Sequence, residues 1–168
     1  METAEIVLGA VLAQRLVELL IAKRNTDRLL DEGGVETGAE HYPYIVLLHA
    51  AWLAAMVLFI PGNAEANWWL LSAFLVLQAA RVWVMATLGR RWTTRVIIIP
   101  GQALVRSGPY RFMKHPNYAI VAAEIALLPL VFGEWVIALI FSAFNAIVLR
   151  ERIRVENEAL RRADMGQR

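Results

Sequence analysis

Long apolar stretches, separated by polar or charged connections, dominate this chain of 168 residues. Five stretches are apolar over most of their length: Ile6–Ala22, Pro43–Ile60, Trp68–Leu88, Tyr118–Phe132 and Trp135–Leu149. The first three approach the roughly 20 residues that a helix needs to cross a bilayer. The last two are shorter, and only Gly133 and Glu134 separate them, which predicts a tight helical hairpin. The pattern therefore predicts an all-α integral membrane protein with about five transmembrane helices.

The basic residues predict how these helices cross the membrane. Lysine and arginine concentrate after the first, third and fifth stretches, whereas the connections 61–67 and 133–134 contain none. Because basic connections tend to remain in the cytoplasm, we expect the N-terminus outside the cell membrane and the C-terminus inside. The charged segment Asn25–Glu40, which includes Gly33 and Gly34, is expected to form a cytoplasmic loop.

Four charged residues lie inside the apolar stretches. Arg15 and Glu18 are three positions apart and can share a helix face. Arg81 could meet Glu18 or Glu124 across the bundle. A charge inside a bilayer is costly unless it is paired or faces a wet cavity. Two interpretations stay open: a polar wall of a substrate cavity, or an internal ion pair that fixes the packing of the helices.

Composition narrows the classes of function. A hydrophobic fraction of 58% exceeds that of ordinary soluble domains, and the length suits a single domain over residues 1–168. The chain has no cysteine, which excludes disulfides, thiolate metal sites and a cysteine nucleophile. Its three histidines lack metal-ligand spacing, so no metal site is expected. A net charge of +2 gives no reason to expect nucleic acid as a partner.

The connection between the third and fourth stretches carries the most distinctive motif. Residues 106–118 combine Gly-Pro at 108–109 and His-Pro at 115–116 with three aromatic rings and three positive charges. The segment lies where an apolar bundle meets water. A purely structural loop needs neither the aromatic rings nor the histidine, so we expect the chemistry to be located here.

The C-terminal run R-x-x-x-E-x-x-x-L places Arg152 and Glu156 four positions apart, on one face of a helix. This spacing alone also suits an ordinary exposed ion pair. The joint order of Gln102–Val105, the 106–118 motif and this run, however, resembles the isoprenylcysteine carboxyl methyltransferase family. The core of the resemblance covers residues 88–160.

Within that family, the chain resembles a small bacterial branch through the element G-x-x-H-Y-P-x-x-x-L-L-H at residues 38–49. Members of that branch accompany type III polyketide synthases and O-methylate long-chain alkylpyrones. The resemblance implies an S-adenosylmethionine-dependent O-methyltransferase with a cytoplasmic cofactor-binding loop and a C-terminal helix. It implies a lipid-like acceptor dissolved in the bilayer, methylated on an alkylpyrone-type hydroxyl or an isoprenylcysteine-type carboxylate. The oligomeric state cannot be read from the sequence.

The resemblance also implies roles for individual residues. Glu156 corresponds to the cofactor-binding glutamate of the family and Arg152 to its substrate-facing arginine, so these two are the expected catalytic residues. The other expected cofactor-binding residues lie in the loop and at the start of the fourth helix: Gln102, Ala103, Leu104, Val105, Tyr110, His115, Pro116, Asn117 and Tyr118. Residues at the beginning of the same connection are candidate acceptor contacts: Trp92, Thr94 and Arg95.

Other functions stay open at this level. Asn157 stands where many relatives have a second glutamate, which puts the acceptor class in doubt. A phospholipid-type N-methyltransferase is therefore an alternative. The H-P-x-Y element is shared with membrane sterol reductases, so an NADPH-dependent membrane reductase is a further alternative. A non-catalytic membrane protein is the third.

Overall fold

Residues 2–165, the part of the chain that the computed structural model describes, form five α-helices and a two-stranded sheet, with side chains described up to Arg161. The elements are, in chain order, α1 (Thr3–Asp31), β1 (Val35–Thr37), α2 (Tyr42–Phe59), α3 (Trp68–Leu88), β2 (Val96–Ile98), α4 (Pro116–Val131) and α5 (Trp135–Met165). Each predicted apolar stretch falls on one helix. The prediction of a mostly helical protein is therefore confirmed.

The surface and the helix lengths indicate a membrane protein. Within the described residues, two helical segments, Ala39–Phe59 and Trp68–Arg91, are long and apolar enough to span a bilayer, and Pro116–Val131 is a shorter apolar helix. Large apolar side chains also face outward; Leu58 and Trp69, for example, are 76% and 87% exposed. An outer surface of this kind suits lipid better than water. The number of crossings and their orientation remain predictions.

Helices α4 and α5 form a hairpin, as the short connection predicts. The amide groups of Gly133 and Glu134 donate to the carbonyls of Leu130 and Pro129 and close the end of α4. The C-terminal helix expected from the sequence is not a separate element, because α5 continues beyond its apolar part as far as Met165. The final charged run therefore extends from a helix that is anchored in the bundle.

The expectation of a loop over residues 25–40 is wrong. Helix α1 continues to Asp31, and β1 then pairs antiparallel with β2, with Thr37 opposite Val96. Tertiary contacts explain the difference, because Asn25 and Leu29 are buried on the inner side of α1. The charged residues that suggested a loop alternate with these positions. The segment after α1 is thus tied to the connection between α3 and α4.

A layer of charged side chains divides the apolar core. One apolar cluster takes a buried residue from every helix, among them Leu8, Trp52, Phe74, Ile125 and Ile137. A smaller cluster lies closer to the connection before α4: Ala22, Val84, Trp92 and Ile120. Along α1 and α3, the charged residues Arg15, Glu18 and Arg81 fall between the two clusters, and Glu124 of α4 pairs with both arginines. The fold therefore encloses a polar layer within an apolar bundle.

Candidate active site

The turn that precedes α4 is fixed against α3. Residues Gly108–Arg111 form a short 3-10 helix, and Gly108 has a φ of 55°, a backbone conformation that favours glycine. A Cβ at this position would also collide with the side chain of Thr87. Tyr110 packs against the smaller apolar cluster, which includes Trp92. The Gly-Pro turn therefore positions the Tyr110 ring at the inner side of the loop.

The His-Pro pair begins α4 and brings two rings together. Pro116 occupies the first helical turn, where its missing N–H group costs nothing. The His115 and Tyr118 rings stack with their centroids 5.4 Å apart and an angle of 18° between their planes. His115 Nδ1 lies 3.7 Å from Glu156 Oε2, and its Nε2 lies 3.3 Å from Asn157 Oδ1. The start of α4 therefore contacts the charged end of α5.

Tyr118 connects the two charged residues of α5. Its hydroxyl donates a hydrogen bond to Glu156 Oε2 and accepts one from Arg152 Nε at 3.1 Å. Arg152 is 6% exposed and also donates from Nη2 to the carbonyl oxygen of Thr94 at 2.8 Å. Arg152 and Glu156 are therefore not an ordinary exposed ion pair. They belong to one hydrogen-bond network, which joins the connection before α4, through Thr94, to Tyr118 of α4 and to both charged residues of α5.

The connection before α4 contributes a buried ring and a paired guanidinium. Trp92 is 2% exposed, and its carbonyl accepts a hydrogen bond from Asn25 Nδ2 at 2.8 Å. Arg95 lies over the Tyr42 ring, 4.6 Å from its centroid, and its Nη1 donates to the Glu36 carboxylate at 2.9 Å. Arg95 is thus held between β1 and α2. Any contact with an acceptor would have to coexist with this pairing.

A cavity of about 1360 Å³ joins these elements. Its wall contains nearly all the residues that the sequence singled out: Trp92, Thr94, Arg95, Gln102, Ala103, Leu104, Val105, Tyr110, His115, Asn117, Tyr118, Arg152 and Glu156. Pro116 is the exception among the described residues; it is buried in the first turn of α4 and shapes the wall without contributing to it. Residues spread over 65 positions of sequence, from 92 to 156, therefore meet around one space.

Comparison with known proteins identifies the family. The profile of the isoprenylcysteine carboxyl methyltransferase (ICMT) family matches residues 69–162. The chain belongs to the ICMT family. The resemblance inferred from the sequence is thereby confirmed, and the matched region includes α4, most of α5 and the connection before them.

Two bacterial relatives in the same comparison extend over almost the whole chain. The chain is 37% identical to the uncharacterized protein YpbQ of Bacillus subtilis, with 92% of this chain and 95% of that protein covered. It is 26% identical to an uncharacterized protein of Haemophilus influenzae, with 92% of this chain and 93% of that protein covered. No solved structure matches the chain. Membership in the ICMT family implies methyltransferase activity, and methyltransferases of this family typically use S-adenosylmethionine.

The cavity of this ICMT-family protein also reaches the charged layer. Arg15 donates to Glu18 and Glu124, each at 2.8 Å, and Arg81 reaches the same two carboxylates at 2.7 and 3.0 Å. Gln78 adds a hydrogen bond to Glu124 at 2.9 Å. Arg15, Glu18 and Arg81 also line the cavity. The internal ion pair is therefore observed, and three of its members also line the cavity; the interpretation as a wall of a substrate cavity stays a prediction.

Sequence reasoning missed several neighbours of the site. Tyr42, whose hydroxyl lies 3.1 Å from Thr94 Oγ1, belongs to the H-Y-P element, so a signal for it existed. The sequence does not indicate a role for Glu36, because the charged pattern around it predicts a loop. Asn157 is notable in the sequence only because many relatives have a glutamate at this position. Its contact with His115 shows that the side chain at this position touches the predicted site.

The surroundings of Tyr110 favour the neutral form of its hydroxyl. Burial raises the pKa of its hydroxyl to about 12, and the nearby Glu156 carboxylate acts in the same direction. The phenol is therefore neutral at physiological pH and available as a hydrogen-bond donor. The wall of the cavity thus includes a neutral Tyr110 hydroxyl as well as the Glu156 carboxylate.

Proposed function

We propose that this protein is an S-adenosylmethionine-dependent O-methyltransferase that methylates an acidic oxygen of a lipid dissolved in the membrane. The observation that carries the proposal is the network in which Tyr118 links Glu156 to Arg152 inside one cavity. A carboxylate suits the ammonium of the cofactor, whereas a guanidinium suits an anionic acceptor oxygen. One turn of α5 thus separates the two charges that the two reactants require.

The residues of the wall fit the cofactor. Among the described residues, Glu156 Oε1 has no hydrogen-bond partner and is available to an ammonium group. Trp92 and Asn117 belong to the same wall, but the indole N–H of Trp92 and the amide oxygen of Asn117 are sealed from the cavity and have no partner among the described residues, so this arrangement does not offer them to a ligand. Leu104 and Val105 add apolar surface that can flank an adenine ring. When bound, S-adenosylmethionine supplies a methyl group that its positive sulfur has already activated.

Arg152 is assigned to the acceptor. Its Nε and Nη2 groups are engaged, while Nη1 has no partner among the described residues and can bind an oxygen anion. The carboxylate of an isoprenylcysteine is anionic at neutral pH, and the enolic hydroxyl of an alkylpyrone is acidic enough to be largely ionised, so no strong general base is needed. Alignment of the two reactants is then the main source of catalysis, and it can contribute roughly 7–11 kcal/mol.

An O-acceptor fits this site better than an amine. The buried Arg152 guanidinium would repel a cationic or developing cationic nitrogen, whereas it stabilises an oxygen anion. A phospholipid-type N-methyltransferase is therefore the weaker proposal. It would be favoured by methylation of a phosphatidylethanolamine headgroup in preference to a 4-hydroxy-2-pyrone.

One observation is also compatible with the NADPH-dependent reductase. Several basic side chains line the cavity near its loop end, among them Arg106, Arg111 and Lys114. Such a rim suits any anionic ligand, including the phosphates of NADPH. We expect the same rim to lie at the cytoplasmic face of a single five-crossing domain, where basic residues also interact with anionic lipids.

Cofactor binding decides between these functions. In calorimetry on detergent-solubilised protein, we expect S-adenosylhomocysteine to bind with micromolar affinity and NADPH not to bind. Glu156→Ala should abolish binding of S-adenosylhomocysteine. Binding of NADPH alone would favour the reductase, and binding of neither compound would favour a non-catalytic membrane protein.

A further inference from the structure

The cavity continues far beyond the candidate active site, along α1 and α2. On α2 the lining residues recur at helical spacing: Tyr42, Ile45, Val46, His49, Ala50, Leu53, Ala54 and Val57. From Tyr42 to Val57 this stripe is about 22 Å long at 1.5 Å per residue. The cavity is also lined by apolar residues of α1: Leu8, Leu12, Leu16 and Leu19. The part of the cavity along α1 and α2, called the groove below, is long enough and apolar enough to hold a long lipid tail.

The groove is apolar except at mid-depth. His49 lies seven residues below Tyr42, which corresponds to about 10 Å along α2. Tyr42 is in turn connected to Arg152 through Thr94, so it marks the level of the reacting end. Below His49, apolar lining continues to Val57 for another eight residues, about 12 Å. A tail in this groove would meet a polar group near its middle.

Glu18, the carboxylate of this layer that lines the cavity, leaves no acceptor free for a ligand. Its Oε1 and Oε2 each accept two hydrogen bonds, from Gln14, Arg15 and Arg81. Glu124 accepts three hydrogen bonds and is not part of the cavity wall. Arg15 Nε has no partner among the described residues but is sealed from the cavity, so the polar side chain that remains to contact a ligand is His49.

His49 has a defined hydrogen-bonding direction. Its Nδ1 lies 2.8 Å from the carbonyl oxygen of Ile45. A carbonyl can only accept, so Nδ1 carries the hydrogen and Nε2 of the neutral ring has a free lone pair. Among the described residues, Nε2 has no partner, nor is it one of the sealed polar atoms of the interior, and the ring lines the cavity.

We propose that His49 forms a second acceptor-binding subsite, which takes a hydroxyl or another hydrogen-bond donor on the lipid tail about 10 Å from the methylated end. The inference rests on the proposed function for its definition of the reacting end. It identifies the acceptor class as lipids with a polar group inside the tail. Such a group would otherwise be unsatisfied in an apolar groove, so the subsite discriminates against plain tails and in favour of substituted ones.

Equilibrium binding to the detergent-solubilised full-length protein tests the subsite without requiring turnover. The probes are two 4-hydroxy-2-pyrones with straight tails of equal length, one plain and one with a hydroxyl placed about 10 Å from the ring. We expect the wild type to bind the hydroxylated probe about three- to tenfold more tightly, the gain typical of one neutral hydrogen bond. His49→Leu should remove this preference, and His49→Gln, which retains an acceptor, should keep part of it.

Two controls separate the subsite from general effects on the groove and from the proposed function. Leu53→Ala, one turn further along the stripe, should weaken binding of both probes to the same extent. S-adenosylhomocysteine should bind equally well to all these variants. Wild-type protein that binds neither probe, or both equally, would overturn the subsite, as would a preference that survives in His49→Leu. A preference at His49 without binding of S-adenosylhomocysteine would instead overturn the methyltransferase and leave the subsite in place.

Discussion

Tyr118 bridges the two charged residues of the candidate site, Glu156 and Arg152, by hydrogen bonds. Its hydroxyl donates to Glu156 and accepts from Arg152, so its single hydrogen and one of its lone pairs are both committed. The stacked His115 ring further restricts the rotation of the Tyr118 side chain. Because both α5 residues are oriented by one phenol, a cofactor at Glu156 and an acceptor at Arg152 would be held in a fixed mutual position. That is the requirement for a direct methyl transfer.

The role of Glu156 in cofactor binding is tested by Glu156→Gln. The amide still accepts the Tyr118 hydrogen bond but has no charge, so we expect the affinity for S-adenosylhomocysteine to fall about 10- to 100-fold. This is the value of one charge-assisted hydrogen bond. Glu158→Gln is the matched control, since Glu158 is on the same helix but pairs with Arg154. Equal affinities in the two variants would contradict the assignment of Glu156.

Arg152 is expected to affect turnover and not cofactor affinity. In Arg152→Ala, the acceptor oxygen loses its positive partner, and we expect kcat to fall about 100-fold, as when one anion-stabilising donor is removed. Binding of S-adenosylhomocysteine should be retained. Arg154→Ala, which removes an exposed arginine paired with Glu151 and Glu158, should leave both quantities unchanged. Loss of cofactor affinity in Arg152→Ala would place this residue in the cofactor site instead.

The sequence predicts these residues better than it predicts their connections. The four-residue spacing places Arg152 and Glu156 on one face, and the resemblance to the family assigns roles to both. The sequence does not predict that Tyr118 bridges Arg152 and Glu156, because this bridge depends on the rotation of α4 relative to α5. Arg95 illustrates the converse: its position in the connection is as expected, but its pairing with Glu36 depends on a strand that the local sequence does not reveal.

At the scale of elements, the charged layer ties α1, α3 and α4 together. Glu124 is 1% exposed and Arg81 6%, so these are buried ion pairs whose members depend on one another. The sequence predicts that Arg81 meets Glu18 or Glu124, and the structure shows that it meets both. The pairing between β1 and β2 was not predictable in the same way, because three-residue strands about 60 positions apart have no periodicity strong enough to detect.

Removing one charge from this layer should be worse than removing an opposite pair. Arg15→Met leaves two buried carboxylates with one guanidinium, and we expect a loss of about 3–5 kcal/mol of stability. Glu124→Gln should destabilise the protein in the same way. In the double variant, Arg81 and Glu18 keep their two hydrogen bonds and the layer stays neutral, so the loss should be smaller than either single loss. Thermal unfolding in detergent measures these differences, and strictly additive losses would show that the layer does not act as a unit.

At the scale of the whole molecule, the helices differ in how easily they can span a bilayer. Helix α3 has 21 residues and is about 31 Å long, which matches a hydrocarbon core of about 30 Å. Helix α4 has 16 residues and is about 24 Å long, so it would require local thinning of the bilayer. The long helices α1 and α5 end in charged turns that would lie on the side of the loop before α4. If α4 crosses as predicted, we expect the bilayer to be thin next to the candidate site, so that a lipid headgroup can approach the cavity.

The five-crossing topology predicts on which side each connection is labelled. The chain has no cysteine, so a single introduced cysteine is a unique target for a membrane-impermeant maleimide. Asn63 lies in the exposed connection before α3 and Gln102 in the exposed connection after it. We expect Asn63→Cys to react in intact cells, and Gln102→Cys to react only after the membrane is opened. Glu32→Cys, after α1, should behave like Gln102→Cys. Labelling of Asn63→Cys and Gln102→Cys from the same side would mean that α3 does not cross, and the candidate site could then not be assigned to the cytoplasmic face.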